Sequence, residues 1–428
     1  MSGDVAVAPA PSSLRTTLRV PGDKSIAHRA LLFASLAEGE TRIEGLPSGE
    51  DVRSTRRCLE SLGTKVRDEG NAVVVRGDTF AQPSHVLDCG NSGTTMRLLA
   101  GILAVRDIDA TLDGDPSLRR RPMRRIADPL RAMGARIELR EETLAPMRVR
   151  GTASARSLAY ELPVASAQLK SALILAALGA RGTTTLSGAV RSRDHTERML
   201  PLFGGRLEAR DGTLTVEGSQ QLRAPLEAVR VPGDISSASY WIAAAAIVPE
   251  SRLEIADVGL NPTRLGFVDV LRRMGASIEV HPSAAGFEPA GSIVVCGSSL
   301  RATSVNAGEV PALIDELPLL ATVAAFAEGT TVVHGAEELR VKESDRIDAV
   351  VRNGRVIGMH IEPFPDGFAV TGPSALHGGE IDAMGDHRIA MAFAVAALGA
   401  SAEIRIRGAE SVAISYPEFF STVAALRV

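Results

Sequence analysis

The sequence predicts an α/β protein of two similar domains, each made of three βαβαββ units. Three observations carry the prediction. One phrase, an Ala/Leu-rich helical run followed by a short β-like stretch and a Gly, occurs six times. Its closing glycines, Gly45, Gly114, Gly188, Gly259, Gly335 and Gly408, lie roughly seventy residues apart. Between the copies runs a second phrase, an amphipathic helix closed by Gly, then a strand, a polar turn and another strand, which is the alternation that builds α/β units. Finally, Val20-Pro21-Gly22-Asp23 returns half a chain later as Val231-Pro232-Gly233-Asp234. A chain of 428 residues is too long for one core. The two Pro-Gly points therefore mark where it passes between domains, and they are candidate hinges. Domain 1 is expected to hold residues 1–21 and 233–428, and domain 2 residues 22–232.

Taken in order, Met1 to Ser13 carries Asp4, no basic residue and no long apolar core. It does not read as a signal peptide and is expected to be a short loose arm of a cytoplasmic protein. Thr16 to Val20 is extended, and a helical pattern follows from Ile26 to Leu36. The second-phrase helices end at Gly63, Gly134, Gly204, Gly275 and, in a degenerate copy, Gly358, each placed as a C-cap. The sixth second phrase is incomplete: only a helix, Tyr416 to Val428, follows Gly408. Its missing strand is expected from Leu14 to Val20, so that both termini share one domain.

The unusual residues collect in the six loops that precede the Ala-rich helices. These are Gly22-Asp23-Lys24-Ser25, Asn91-Ser92-Gly93-Thr94, Ser166-Ala167-Gln168, Gly233-Asp234-Ile235-Ser236-Ser237, Asp315-Glu316 and Asp386-His387-Arg388. A helix start offers free N–H groups and the positive end of the helix dipole. Lys24, Ser25 and Arg29 add two cations and a hydroxyl, which makes an anion site. If like units stack with like orientation, many such starts converge on a cleft suited to small polyanions.

Composition narrows the function. No apolar run approaches the ~20 residues that span a bilayer, the net charge is −4 and aromatics are scarce, so neither a membrane nor a nucleic acid is an expected partner. Cys58, Cys89 and Cys296 are far apart and lack C-x-x-C spacing, so they are expected to be buried thiols rather than disulfides or zinc ligands. Only four of 47 basic residues are Lys, namely Lys24, Lys65, Lys170 and Lys342. In so Arg-biased a chain a retained Lys points to a need for a compact ammonium. Lys24 and Lys342 fall inside motifs, whereas Lys65 reads as a surface residue.

Each motif has a plain alternative. Gly22-Asp23-Lys24-Ser25 lacks the first glycine of a P-loop and is not a Walker-type site. The run Arg119 to Arg125 is mostly a solvated basic face, from which Arg121, fixed before Pro122, stands out. Glu338 to Arg346 alternates charge, as a salt-bridged turn would. Alternatively, it brings Lys342, Glu343 and Arg346 to an anionic ligand, where cations and burial tune Glu343. Asp386-His387-Arg388 lacks the further ligands that a metal would need.

Together, Pro21-Gly22-Asp23-Lys24-Ser25 with Arg29, Asn91-Ser92-Gly93-Thr94, Arg121-Pro122, Ser166-Ala167-Gln168, Arg193-Asp194-His195-Thr196-Glu197, Asp315-Glu316-Leu317-Pro318, Arg340 to Arg346 and Asp386-His387-Arg388 resemble one family over almost the whole chain. That family is 5-enolpyruvylshikimate-3-phosphate synthase (3-phosphoshikimate 1-carboxyvinyltransferase). The resemblance implies an inside-out α/β barrel in each domain and an active site in the interdomain cleft. It also implies transfer of the enolpyruvyl group of phosphoenolpyruvate to the 5-hydroxyl of shikimate 3-phosphate, on the route to chorismate and the aromatic amino acids, without metal or organic cofactor. By the family pattern Lys24, Ser25, Arg29, Ser166, Ala167, Gln168, Arg193, Asp315 and Lys342 hold shikimate 3-phosphate. Lys24, Gly93, Arg121, Gln168, Arg346 and Arg388 hold phosphoenolpyruvate. Cations bring two anions together; Asp315 is expected to take the hydroxyl proton and Glu343 to protonate the methylene, with Lys24 and Lys342 stabilising charge. The partners are thus anionic small molecules, and the protein is expected to act as a monomer.

One position departs from the pattern. Some members carry a Lys before the C-terminal Ser/Thr-aromatic-Pro, where this chain has Ile414 before Ser415-Tyr416-Pro417. Gly93, rather than a bulkier residue, implies sensitivity to glyphosate. The rival readings are weaker. An enolpyruvyl transferase acting on UDP-N-acetylglucosamine would carry a Cys between Gly114 and Pro122 and an Asn in place of Ser25. A noncatalytic repeat scaffold leaves six polar loops unexplained, and an RNA 3′-phosphate cyclase relative would need a basic RNA surface.

Overall fold

Among the described residues the β structure forms six small sheets, five of them four-stranded and alike in topology. A computed structural model of the chain describes residues 3–77, 80–283 and 286–426. The chain divides into two compact units, Gly22–Val231 and Met1–Pro21 with Pro232–Val428.

In the Gly22–Val231 unit the first sheet runs Val229–Arg230, Gly39–Glu44, Ala72–Gly77, Lys65–Glu69. The leading strand is parallel to its neighbour and the other pairings are antiparallel. The second sheet, Leu87–Asp88, Asp109–Asp113, Leu144–Arg150, Arg136–Arg140, and the third, Ala159–Leu162, Thr183–Gly188, Thr213–Glu217, Glu208–Arg210, repeat that pattern. A parallel pair needs a crossover connection. In the second and third sheets it is a helix, Gly93–Ala104 and Ala167–Gly179 respectively.

The other unit has two sheets of the same kind, Arg15–Arg19, Arg252–Gly259, Ala290–Cys296, Ser277–Pro282 and Ser304–Val305, Gly329–Val333, Gly367–Gly372, His360–Phe364. Its last sheet has three strands, Gly379–Asp382, Ile404–Arg407 and Val5–Val7.

The N-terminus corrects two expectations. The strand completing the sixth unit is Val5–Val7, antiparallel to Ile404–Arg407, and not Leu14 to Val20. The arm is therefore not loose: Val7 is buried, the Ala10 N–H donates to Leu398 O at 3.0 Å, and Ala409 N–H donates to Gly3 O at 2.6 Å. With no hairpin following, the Ile404–Arg407 edge would otherwise present unpaired backbone groups, and the Val-Ala-Val stretch covers them. Arg15–Arg19 instead leads the fourth sheet, parallel to Arg252–Gly259. Each Pro-Gly point thus falls between a leading strand and the helix that follows it. Arg15–Arg19 lies in one unit while the next helix, Lys24–Leu36, lies in the other; Val229–Arg230 and Ile235–Ile247 are divided the opposite way. Gly22 is required for close approach, since a Cβ there would collide with the Gly45 carbonyl oxygen.

The six helices that follow the polar loops are apolar all round and buried, as their Ala/Leu composition dictates. In Lys24–Leu36 every residue from Ile26 to Ser35 is buried. Gly93–Ala104 packs on Ala167–Gly179 so closely that a Cβ on Gly101 would strike the Ala172 carbonyl oxygen. The chain end differs from the single helix expected over Tyr416 to Val428. A 3-10 turn, Ala409–Ile414, precedes a shorter helix, Phe419–Ala425, because Pro417 interrupts the run; Arg427 and Val428 lie outside the described residues. Trp241 stacks on Phe419 with centroids 5.0 Å apart and donates from Nε1 to Tyr416 Oη at 3.3 Å. Cys58 and Cys89 are buried free thiols, while Cys296 is only partly covered, which corrects the expectation for the third. Among the described residues no helix is long and apolar enough to cross a membrane.

Candidate active site

Five of the six polar loops cap their own helix. Asp23, Ser92, Ser166, Asp234 and Asp386 accept from the N–H groups of Ile26, Thr95, Leu169, Ser236 and Arg388 respectively. Glu316, before Leu317–Ala324, does not. Its carboxylate accepts instead from the Ser236 hydroxyl and lies 3.4 Å from Arg388 Nη1.

In the Gly22–Val231 unit the helix starts are laced together by side chains. Lys24 Nζ lies 3.0 Å from Asp51 Oδ2, with both groups partly covered. Arg29 is buried and spreads its guanidinium over three acceptors, Thr196 Oγ1 at 2.7 Å, Ser25 O at 2.8 Å and Ser171 Oγ at 2.7 Å. Gln168 donates to Thr94 Oγ1 at 2.9 Å and accepts from Arg97 Nη1 at 2.6 Å. Gly93 faces the same group: a Cβ there would come 2.6 Å from Arg97 Nη1 and 3.4 Å from Arg121 Nη1. Arg121 donates to Asn91 Oδ1 at 2.6 Å and Ser117 Oγ at 3.2 Å. It is buried, whereas Arg119, Arg120 and Arg124 of the same run are exposed. The geometry therefore gathers Gly93, Arg121 and Gln168 in one place. Ser166 and Ala167 open the Gln168 helix, and Arg193 lies in the irregular segment before His195–Met199. His28, one helical turn after Lys24, is buried with Nδ1 2.7 Å from Thr55 Oγ1. Burial first, then the charges of Lys24 and Arg29, hold its pKa well below the usual value.

In the other unit the centre is Arg346, whose side chain is 1% exposed. Nε donates to Asp386 Oδ2 at 2.8 Å, Nη1 to Asp315 Oδ1 at 3.3 Å and Nη2 to Glu343 Oε2 at 2.6 Å. Arg388 Nη1 donates to Asp315 O at 3.1 Å, and its Nη2 stands 3.6 Å from Asp315 Oδ2. Lys342 Nζ is 3.9 Å from Asp315 Oδ1. Burial alone would depress the pKa of Arg346, but Asp386, Glu343 and Asp315 outweigh it and hold the guanidinium above its ordinary value. Asp315 and Glu343 keep 15% and 14% of their side-chain surface and Lys342 29%, so these three are the members that a solute can reach. Arg340 has a structural part, donating to Asp345 Oδ2 and to the carbonyls of Pro365 and Phe364.

Asp315, Lys342, Glu343, Arg346 and Arg388, drawn from three separate motifs, thus lie in one ion network. It combines cations for an anion with two accessible carboxylates that can exchange protons. Among the described residues no group of three or more His, Cys, Asp or Glu is arranged to hold a metal. Sequence reasoning passed over Asp51, Arg97, the Lys170–Glu197 pair and the part played by Glu316. Arg97 follows the Asn91-Ser92-Gly93-Thr94 motif by three residues, and Lys170 was conspicuous as one of four lysines; no sequence signal marks Asp51.

The profile of a family described as EPSP synthase (3-phosphoshikimate 1-carboxyvinyltransferase) matches residues 9–423. The 3-phosphoshikimate 1-carboxyvinyltransferase of Bacillus licheniformis is 46% identical over 421 residues, 97% of this chain and 98% of that protein. That of a Synechococcus species is 48% identical over 433 residues, 99% and 97% of the two. The structure of EPSP synthase from Acinetobacter baumannii superposes with a TM-score of 0.86 at 39% identity, covering 99% of this chain and 97% of that one. The enolpyruvyl transferase NikO from Streptomyces tendae, 18% identical with a TM-score of 0.78 over 100% and 98% of the chains, shares the fold.

Proposed function

The chain belongs to the EPSP synthase (3-phosphoshikimate 1-carboxyvinyltransferase) family, and on that premise we propose how its residues divide the reaction. The enzyme transfers the enolpyruvyl group of phosphoenolpyruvate to the 5-hydroxyl of shikimate 3-phosphate and releases phosphate. Shikimate 3-phosphate is held by Lys24, Ser25, Arg29, Ser166, Ala167, Gln168, Arg193, Asp315 and Lys342. Phosphoenolpyruvate is held by Lys24, Gly93, Arg121 and Gln168, and by Arg346 and Arg388. The hydrogen bond of Arg97 to Gln168, and the nearness of the Arg97 and Arg121 guanidinium groups to the space a Cβ on Gly93 would fill, support this reading, because they bring cationic groups to the start of the Gly93–Ala104 helix.

The observation that carries the chemistry is the sharing of Arg346 between Asp315 and Glu343. Asp315, facing Arg346, Arg388 and Lys342, takes the proton of the 5-hydroxyl as the oxygen attacks C2 of phosphoenolpyruvate. Glu343 gives a proton to C3, so that the tetrahedral adduct forms without a free carbanion. Loss of a proton from the resulting methyl group then expels phosphate. Lys24 and Lys342 stabilise the charge that develops. The protein is proposed to act as a cytoplasmic monomer, and sedimentation velocity checks the oligomeric part.

The test is release of phosphate from phosphoenolpyruvate. Release with shikimate 3-phosphate and none with UDP-N-acetylglucosamine is expected; the reverse would overturn the choice of acceptor. Inhibition by glyphosate, competitive with phosphoenolpyruvate, is expected from Gly93, and millimolar glyphosate without effect would refute it.

A further inference from the structure

We propose that Lys170 is a positioning residue, one that fixes the Arg193 segment against the Ser166-Ala167-Gln168 helix start and so sets the affinity for shikimate 3-phosphate without touching it. The proposal rests on the reading above in which Arg193 holds that substrate.

The Ala167–Gly179 helix is apolar apart from Gln168, Lys170 and Ser171 near its start, and it is buried from Leu169 to Leu178. Lys170 is nonetheless 1% exposed. Its ammonium has three donors, and each has an acceptor: Glu197 Oε1 at 2.6 Å, Val190 O at 3.0 Å and Ser192 O at 3.2 Å. These acceptors bracket Arg193. Two are carbonyls of the irregular stretch after the Thr183–Gly188 strand, and the third is in the short helix His195–Met199. Ser171, the next residue, meets Thr196 Oγ1 at 2.7 Å and accepts from Arg29 Nη2 at 2.7 Å. Two consecutive helix positions therefore grip the segment on both sides of Arg193. No backbone ladder involves residues 190–194, so buried charge-assisted bonds set where they lie.

A stabilising role alone does not account for this pair. Burying an ammonium is costly, and an apolar residue at 170 would match the helix around it. Glu197 Oε2 is buried with no partner among the described residues, so the pair is not tuned for stability. The identity of the cation fits positioning instead. A planar guanidinium cannot direct three donors from one nitrogen to three acceptors, and this chain, which otherwise uses Arg almost everywhere, keeps Lys here.

The experiment is steady-state kinetics of the full chain for Lys170→Met, Lys170→Arg, Lys170→Met with Glu197→Gln, Arg193→Ala, and Lys170→Met with Arg193→Ala. The paired Lys170→Met/Glu197→Gln variant avoids a lone buried carboxylate and is read if the single variant fails to fold, as judged by circular dichroism. Both Lys170→Arg and the folded Met variants are expected to raise KM for shikimate 3-phosphate about tenfold, with KM for phosphoenolpyruvate and kcat changed less than about twofold. In the Arg193→Ala background the Lys170 change should add less than about twofold, because its effect passes through Arg193. An unchanged shikimate 3-phosphate KM in folded Lys170 variants, while Arg193→Ala raises it, overturns the positioning role, and so do multiplying effects in the double variant. If Arg193→Ala itself leaves that KM unchanged, the assignment of Arg193 fails, and this inference falls with it.

Discussion

Glu343 shares Arg346 with Asp315 and Asp386, so its role can be separated from that of its neighbours by one atom. Glu343→Gln keeps the acceptor for Arg346 Nη2 but has no proton to give at that position. We expect kcat to fall about a hundredfold or more with little change in KM for shikimate 3-phosphate; near-full turnover would exclude Glu343 as the acid. At Gly93 the argument is steric. Gly93→Ala puts a methyl against the guanidinium groups of Arg97 and Arg121. KM for phosphoenolpyruvate should rise several-fold and glyphosate inhibition weaken, whereas KM for shikimate 3-phosphate stays within about twofold. His28 gives a pH signature. It is held neutral in the fold, so the unfolded chain binds an additional proton below its ordinary pKa of about 6.5. Stability due to this residue is therefore present above about pH 6.5 and lost as the pH falls below it. The stability of His28→Gln should depend less on pH there, by up to about 1.4 kcal/mol per pH unit, in parallel urea titrations.

At the scale of elements, the three-residue strand Val5–Val7 covers an edge and buries Val7. Deleting residues 1–8 should cost about 2 kcal/mol of stability and lower the thermal midpoint by a few degrees, read by calorimetry. An unchanged midpoint would mean that the strand merely rests on the sheet. That strand was not legible in the sequence, since Val-Ala-Val is too short to show a period and follows no turn signal. The six polar loops were legible because Asp, Ser and Asn before Ala-rich runs have a capping reason to be there. The same logic failed at Glu316, which sits where a cap belongs yet turns to Ser236 and Arg388. Lys170 was noticed for its rarity, but nothing in an apolar helical pattern tells which loop a lysine will reach. Asp315, Lys342, Glu343, Arg346 and Arg388 could be named from their motifs, whereas their meeting around a single guanidinium is a property of packing.

At the scale of the whole molecule, the count of units was readable from its glycines, but the sheet that Thr16 to Val20 joins was not, because an extended run of that kind suits the fourth sheet as well as the sixth. The exchange of leading strands at the two Pro-Gly points makes the two units unequal as fragments. Residues 22–231 contain every strand of their three sheets, whereas residues 232–428 lack Arg15–Arg19 and Val5–Val7. The first fragment is expected to unfold cooperatively on its own in circular dichroism. The second should do so only when residues 1–21 are joined to its C-terminus through a flexible linker, and a cooperative 232–428 fragment without them would contradict this.

The same exchange sets a timetable for synthesis. Arg15–Arg19 leaves the ribosome more than 230 residues before its neighbour Arg252–Gly259, a wait on the order of tens of seconds at ordinary elongation rates. Val5–Val7 waits longer still, since its neighbour is Ile404–Arg407. Throughout that interval the nascent chain carries an unpaired strand while the Gly22–Val231 unit is being made. Arg15 and Arg19 at the strand's two ends supply the charge that discourages premature pairing.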